Sequence, residues 1–383
     1  MQPAALRTGC LSMTVEERYA VRKEFAASLE KAAAGAELTR KDIINLLAAA
    51  PGAEEEALYR LADSVRARVA GDEVHLRGVI EFSNYCRRRC YYCGLRADNV
   101  NLQRYRLMPE DIVAAARRGA ELGYGTIVLQ SGEDPWYTGP VLAGIIREIK
   151  KLGVAVTLCV GERTRDEYAL WREAGADRYL LKHETANAAL YNRLHPGMSW
   201  QERLQCLQWL RELGYQVGSG NIIGLPGQTL EDLADDLILL RELDVEMAGL
   251  GPFIPHPATP LGGEPAGSLD LTYRVVATAR LVIPYAHLPA TTAVGTLAPN
   301  GRQLALQRGA NVIMPNLTPT RYRADYQIYP NKICINEGPE DCRHCLEGMV
   351  RALGRRLGRG PGHTLKPLRV QVTGILTKDH KTE

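Results

Sequence analysis

Residues 14 to about 70 carry charges and alanines at helical period, as in TVEERYAVRKEFAASLEKAAAG and EEEALYRLADSVRARVAG. The chain is therefore expected to open with a helical extension over residues 1–73. From residue 74 the texture changes to short apolar runs alternating with amphipathic stretches. VHLRGVIEF (74–82), GTIVLQ (125–130), VAVTLCV (154–160) and DRYLLKHE (177–184) read as strands. QVGSGNIIG (216–224), EMAGLGPF (246–253), LPATTAV (288–294) and NVIMP (311–315) continue the series. Helical stretches separate them, among them one from Pro109, one near 140–151 and one at 165–174. Eight strand-like runs joined through helices predict an α/β fold, a (β/α)8 TIM barrel over 74–325, followed by a small C-terminal extension over 326–383. An open doubly wound sheet is the alternative, since a sequence pattern does not display closure. In a barrel the working residues stand at the carboxyl ends of the strands. That is where the unusual residues fall: a cysteine cluster after the first strand, SGED (131–134) after the second and Glu184 after the fourth.

The composition narrows the class. The 383 residues are 45% hydrophobic and 24% charged, and the net charge of +3, with its basic residues scattered, argues against nucleic acid as a partner. GRRLGRGPGH (354–363) is the exception, and it reads as a solvated or weakly ordered end. No secretory signal and no run of about 18 apolar residues is present, so a cytoplasmic protein without a membrane partner is expected. In that compartment nine cysteines do not form a disulfide framework. Six of them make two triads, 86/90/93 and 334/342/345, while Cys10, Cys159 and Cys206 read as buried or incidental thiols.

NYCRRRCYYCGL (84–95) holds the first triad, Cys86, Cys90 and Cys93. Thiolates are soft ligands for zinc or iron–sulfur chemistry. A [4Fe–4S] cube usually takes four cysteines, so three leave one iron with an open position, as a catalyst requires. A Cys3His zinc site would need a fourth ligand, and His75 lies at the wrong end of the first strand. Three unligated thiols this close together would invite oxidation.

With Tyr92 just before its last cysteine, C-x3-C-x2-C resembles the signature of radical S-adenosylmethionine (SAM) enzymes. SGED resembles the motif that binds the SAM amino group there, and NIIGLPGQT (221–229) the glycine-rich segment beside the adenine. The resemblance narrows further over residues 75–350. FSNYCRRRCYYCGLRADN, TIVLQSGEDP, GADRYLLKHETAN, GLPGQT, GPFIPHPATPL, PATTAVGT and GANVIMPN, in that order, are similar to the HydE family of [FeFe]-hydrogenase maturases.

The resemblance implies a [4Fe–4S] cluster on Cys86, Cys90 and Cys93, with SAM on its open iron. It implies SAM contacts from Tyr92, Gln130, Ser131, Gly132 and Glu133, and from Glu184 on the ribose or sulfonium side. Arg203 would take the SAM carboxylate, with Leu225 and Met247 as apolar contacts. Thr157, Thr291 and Thr292 would face the substrate with Lys182, and Tyr326 and Tyr329 would close the cavity. The implied substrate is a small iron complex bearing carbon monoxide, cyanide and a chelating cysteine. It would be delivered from the maturase HydG, attacked at sulfur and passed to the scaffold maturase HydF, with a separate protein as reductant. Lys182 departs from the family, where arginine is expected; lysine has no planar fork for an anion.

The second triad, Cys334, Cys342 and Cys345, is similar to an accessory [2Fe–2S] or [4Fe–4S] site. His344 leaves a Cys3His zinc site open, as well as no metal at all, and a site apart from the barrel core is expected to be dispensable for chemistry. Two rival functions remain at this point: another radical SAM enzyme such as a methylornithine synthase, and a non-catalytic iron–sulfur electron carrier.

Overall fold

The computed structural model describes residues 21–367; Cys10, the start of the first helical stretch and the lysines after 367 lie outside the described residues. Among the described residues three helices come first, Lys23–Ala33, Arg40–Leu47 and Ala53–Ala70. The second starts on a capping box in which Thr39 and Asp42 each satisfy the other's backbone N–H. Their apolar faces (Phe25, Leu29, Ile43, Leu47, Leu58, Leu61) are buried against one another and against the outer barrel helices Leu230–Glu242 and Leu269–Val282. One continuous core joins them to barrel residues such as Ile80 and Leu129 and to Leu346 and Val350 of the C-terminal helix.

The strands are β1 (Glu73–Ser83), β2 (Thr126–Ser131), β3 (Ala155–Cys159), β4 (Arg178–Leu180), β5 (Gln216–Ser219), β6 (Ile222–Ile223), β7 (Met247–Ala248), β8 (Gly251–Pro252), β9 (Val312–Ile313) and β10 (Arg356–Leu357). Every ladder is parallel. β1 to β5 pair in order, with Ile80 opposite Leu129, Leu129 opposite Leu158 and Leu158 opposite Tyr179. β7 follows β5, and β9 returns to pair with β1 through His75 and Leu76. Single bridges from Met247 to His287 and from Pro289 to Val312 span the gap between β7 and β9. The ring therefore closes into a barrel, and the open sheet is excluded.

Three expected strands differ in detail. LPATTAV contributes the bridge at Pro289 but no ladder: Pro289 has no N–H to donate, and the chain enters the helix Thr292–Leu297. QVGSGNIIG and EMAGLGPF each split in two, β5/β6 and β7/β8. The split is at Gly220 and Gly249, where a side-chain Cβ on Gly220 would lie 2.1 Å from the Gly249 carbonyl oxygen. β6 and β8 pair beyond the break and extend the wall above the barrel.

The basic C-terminal stretch is not a loose end. β10 pairs with the first residues of β1, and residues 358–363 cross the amino end of the barrel. There Arg178 donates to the carbonyls of Pro361 and Gly362 at 2.7 and 3.0 Å, and Thr126 Oγ1 donates to Pro361 at 2.8 Å. His287 Nε2 donates to the His363 carbonyl at 2.8 Å. Backbone carbonyls meeting buried cationic and polar groups account for the ordering; net charge alone had suggested a solvated tail.

Candidate active site

The loop after β1 carries Cys86, Cys90 and Cys93 and is pinned on several sides. Asn84 donates to the carbonyls of Gln103 and Asp325 and accepts from Tyr105 N. Arg104 donates to the carbonyls of Leu95, Arg96 and Asn99. The turn after β2 packs directly on this loop. A Cβ at Gly132 would lie 2.2 Å from the Tyr85 carbonyl oxygen and 2.8 Å from Cys86 Cβ, so only glycine fits. Cys86 Sγ accepts from the N–H groups of Arg88 at 3.4 Å and Glu133 at 3.3 Å.

Burial raises all three thiols, Cys93 to about 12, and the neighbouring sulfurs push Cys90 and Cys93 further up. Buried sulfurs with N–H donors aimed at one of them suit thiolates held by a metal, which displaces the protons. Among the described residues no three His, Cys, Asp or Glu side chains converge on one point closely enough to hold a single ion. A cube asks for one sulfur per iron instead, so the donor set fits a [4Fe–4S] cluster better than zinc.

The three cysteines open on a cavity of about 430 Å³ at the carboxyl ends of the strands. Tyr92, Gln130, Ser131, Gly132, Glu133, Lys182, Glu184 and Arg203 line it, as do Thr291, Thr292, Tyr326 and Tyr329. Glu184 sits in the left-handed region at φ 66°, held there by hydrogen bonds from its N–H to Gly220 and from Ile222 N to its carbonyl. Backbone strain of this kind survives where the surroundings fix it, and it concentrates at functional sites. Burial pulls the Glu184 carboxyl up, but Lys182, Arg203 and His195 outweigh it and hold the group below its usual range. Lys182 Nζ lies 3.0 Å from Glu184 Oε2.

Arg203 donates through Nε to Glu162 at 2.7 Å and through Nη1 to the Lys182 carbonyl. Although burial opposes its charge, Tyr191, Glu162 and Glu184 keep it firmly protonated. Tyr92 Oη pairs with His195 Nε2 at 2.8 Å, while His195 Nδ1 donates to the Tyr191 carbonyl at 2.7 Å. Gln130 Nε2 donates to Tyr326 Oη at 3.3 Å.

Of the expected site residues, four are not in the cavity wall. Thr157 is two residues below Cys159 on β3, on the same strand face but deeper, and its Oγ1 lacks a partner. Met247 is not in the cavity wall; it is core, with its sulfur 2.7 Å from Arg77 Nη1. Leu225 belongs to a small cluster with Leu190, Leu194, Ile222 and Phe253, on which Tyr92 packs. Cys345 is exposed, on the helix Pro339–Ala352.

The Glu133 carboxylate is also less free than expected. Arg87 donates to it at 2.6 Å, Arg88 Nε is 2.7 Å away and Glu162 N donates at 3.1 Å. The second triad is nearer the centre than expected, because Cys334 and Cys342 both reach the wall of the same cavity.

Several lining residues had no sequence signal of their own. Glu81, Asn316 and Lys332 form one buried group, in which Lys332 pairs with Glu81 and Asn316 donates to Glu81 at 2.8 Å. Arg302 approaches from the helix Gly301–Gln307. Cys159, read as incidental, also lines the cavity; its place at the carboxyl end of a strand was the available signal.

A closed parallel barrel with three cysteines on the loop after β1, facing a cavity with acidic and guanidinium groups, defines a radical SAM enzyme. The Radical SAM superfamily model matches residues 80–240. The [FeFe] hydrogenase maturase subunit HydE of Thermotoga maritima is 54% identical over 326 residues, 85% of this chain and 94% of that one. The crystal structure of methylornithine synthase (PylB) superposes with a TM-score of 0.77 at 26% identity, over 87% of this chain and 97% of that one. The maturase HydG of Carboxydothermus hydrogenoformans shares the fold, with a TM-score of 0.73 at 21% identity over 86% of this chain and 78% of that one. The chain belongs to the HydE family, the radical SAM enzymes of [FeFe]-hydrogenase maturation.

Proposed function

We propose that this enzyme acts on a cysteine-ligated Fe(CO)2CN precursor, supplied from HydG and passed on to HydF, in the assembly of the diiron subcluster. Cys86, Cys90 and Cys93 would hold the cluster, and its open iron the amino and carboxylate groups of SAM. When bound, the pair supplies a 5′-deoxyadenosyl radical, directed here at the sulfur of the cysteine ligand.

The chain's own residues do the positioning. Arg203 offers a guanidinium to the SAM carboxylate, and Glu184, kept ionised by its cationic neighbours, offers an acceptor to the ribose or the sulfonium. Arg87, Arg88 and the Glu162 N–H already engage the Glu133 carboxylate, so Glu133 would meet the SAM ammonium as part of an existing ion-paired group. Tyr326, its hydroxyl held by Gln130, walls the cavity with Tyr329 and limits access of water. The second triad would carry an accessory cluster, with Cys334 and Cys342 at the wall of the same cavity.

The observation that carries this reading is that the three loop thiols, Glu184, Arg203 and the threonine pair at 291–292 line one cavity. Anaerobic incubation of reconstituted protein with SAM and a strong reductant should release 5′-deoxyadenosine, and the iron complex should raise that yield. If nucleoside forms but the complex changes nothing, the substrate is a different one, and the methylornithine synthase-like reading gains ground. If no nucleoside forms, the electron-carrier reading replaces it.

A further inference from the structure

The helix Leu230–Glu242 buries Leu233, Ala234, Leu237 and Leu240, and on the same face it carries a fully buried carboxylate, Asp236. Asp236 is not in the cavity wall, and its oxygens meet three donors. Oδ1 accepts from Ala186 N at 2.5 Å and faces His183 Nε2 at 3.3 Å, while Oδ2 accepts from Asn221 Nδ2 at 2.7 Å. His183 is tied in turn to Ser219, whose Oγ accepts from His183 N at 3.1 Å and lies 3.0 Å from Nδ1. A carboxylate only accepts, so Nε2 carries the ring hydrogen and Nδ1 accepts from the Ser219 hydroxyl. Burial raises the Asp236 carboxyl, and the three donors oppose that rise.

These links bracket Glu184. His183 precedes it, Ala186 follows two residues later, and Asn221 is the residue it bridges on the neighbouring segment. Glu184 N donates to the Gly220 carbonyl and Ile222 N donates to the Glu184 carbonyl, each at 3.0 Å, so the chain on both sides of Asn221 belongs to the same joint. The left-handed φ of 66° at Glu184 persists only while both segments are held in place. A leucine at position 236 would suit the buried face of the helix as its neighbours do. A buried carboxylate is unfavourable there unless fully hydrogen-bonded, and what it adds over leucine is three directed links to two separate segments.

We infer that Asp236 is a positioning residue for SAM: through His183, Ala186 and Asn221 it fixes the backbone that aims Glu184 into the cavity. This rests on the SAM contact proposed for Glu184. Asparagine has the shape of aspartate but turns one oxygen into an N–H2 facing N–H donors. Asp236→Asn therefore loses at least one link whichever way its amide turns.

The test is a double-mutant cycle on the affinity for SAM, measured by anaerobic equilibrium dialysis of reconstituted wild-type protein, Asp236→Asn, Glu184→Gln and the double variant. Affinities are compared at equal cluster loading, read from the visible absorption. Each single substitution is expected to weaken SAM binding roughly tenfold. In the Glu184→Gln background Asp236→Asn should add less than about twofold, because the group it aims has gone. A merely structural role would lower the melting temperature and weaken SAM binding by the same factor in both backgrounds. Thermal melts identify a variant that fails to fold, and Asn221→Ala, which removes a single link, then replaces Asp236→Asn in the cycle. Two outcomes overturn the inference with the Glu184 contact intact: unchanged SAM affinity in Asp236→Asn, or losses that multiply in the double variant. Full SAM affinity in Glu184→Gln overturns the Glu184 contact itself, and the inference with it.

Discussion

Burial sets the ionisation of the loop thiols before any ligand reaches them. Cys90 and Cys93 sit where a lone thiolate would be unfavourable, so the iron of a cluster has to supply the compensating charge. Replacing Cys93 with serine is expected to remove the cluster's visible absorption and to reduce 5′-deoxyadenosine formation to background. His195 makes a second residue-scale case. Burial lowers its pKa to about 4, so in the folded protein it stays neutral and accepts from Tyr92. Between about 6.5 and 4 the unfolded chain binds a proton that the folded chain refuses. Stability is full above that window and is lost as pH falls through it, by roughly 3 kcal/mol at most. Denaturant titrations across pH should show that slope, and His195→Gln should flatten it. The cysteine spacing and the strand-end position of Glu184 could be read from local sequence. Arg302 could not, because the Cys334 sulfur it meets lies 32 residues away and only the fold brings the two together.

At the level of elements, the helical character of the N-terminal extension and most barrel strands were legible because amphipathic period and apolar runs reflect burial directly. The seventh strand was not, since Pro289 and the helix-starting Thr292 reduce it to bridges. The segment 358–363 was misjudged, because its ordering comes from Arg178, Thr126 and His287, each distant in sequence. This segment offers a direct test. A Cβ on Gly125 would lie 1.9 Å from the Gly360 carbonyl oxygen. Gly125→Ala should cost about 1–3 kcal/mol, read as a lower melting temperature, and should speed proteolysis after residue 354. In the N-terminal layer Leu47 is fully buried, and Leu47→Ala should cost about 2–5 kcal/mol by denaturant melts while leaving the cluster spectrum intact.

For the molecule as a whole, one cavity meets residues of both cysteine triads: Cys86, Cys90 and Cys93 of the first, Cys334 and Cys342 of the second. Proximity does not make the second site a participant. Cys345 is exposed and lies outside the cavity wall. Cys345→Ser is expected to lower the iron content of reconstituted protein while 5′-deoxyadenosine formation persists; loss of nucleoside would assign the second site to turnover.

The segment laid across the amino end of the barrel bears on access. Tied to Arg178, Thr126 and His287, it covers that end and leaves the mouth beside the cysteine loop as the way in and the way out.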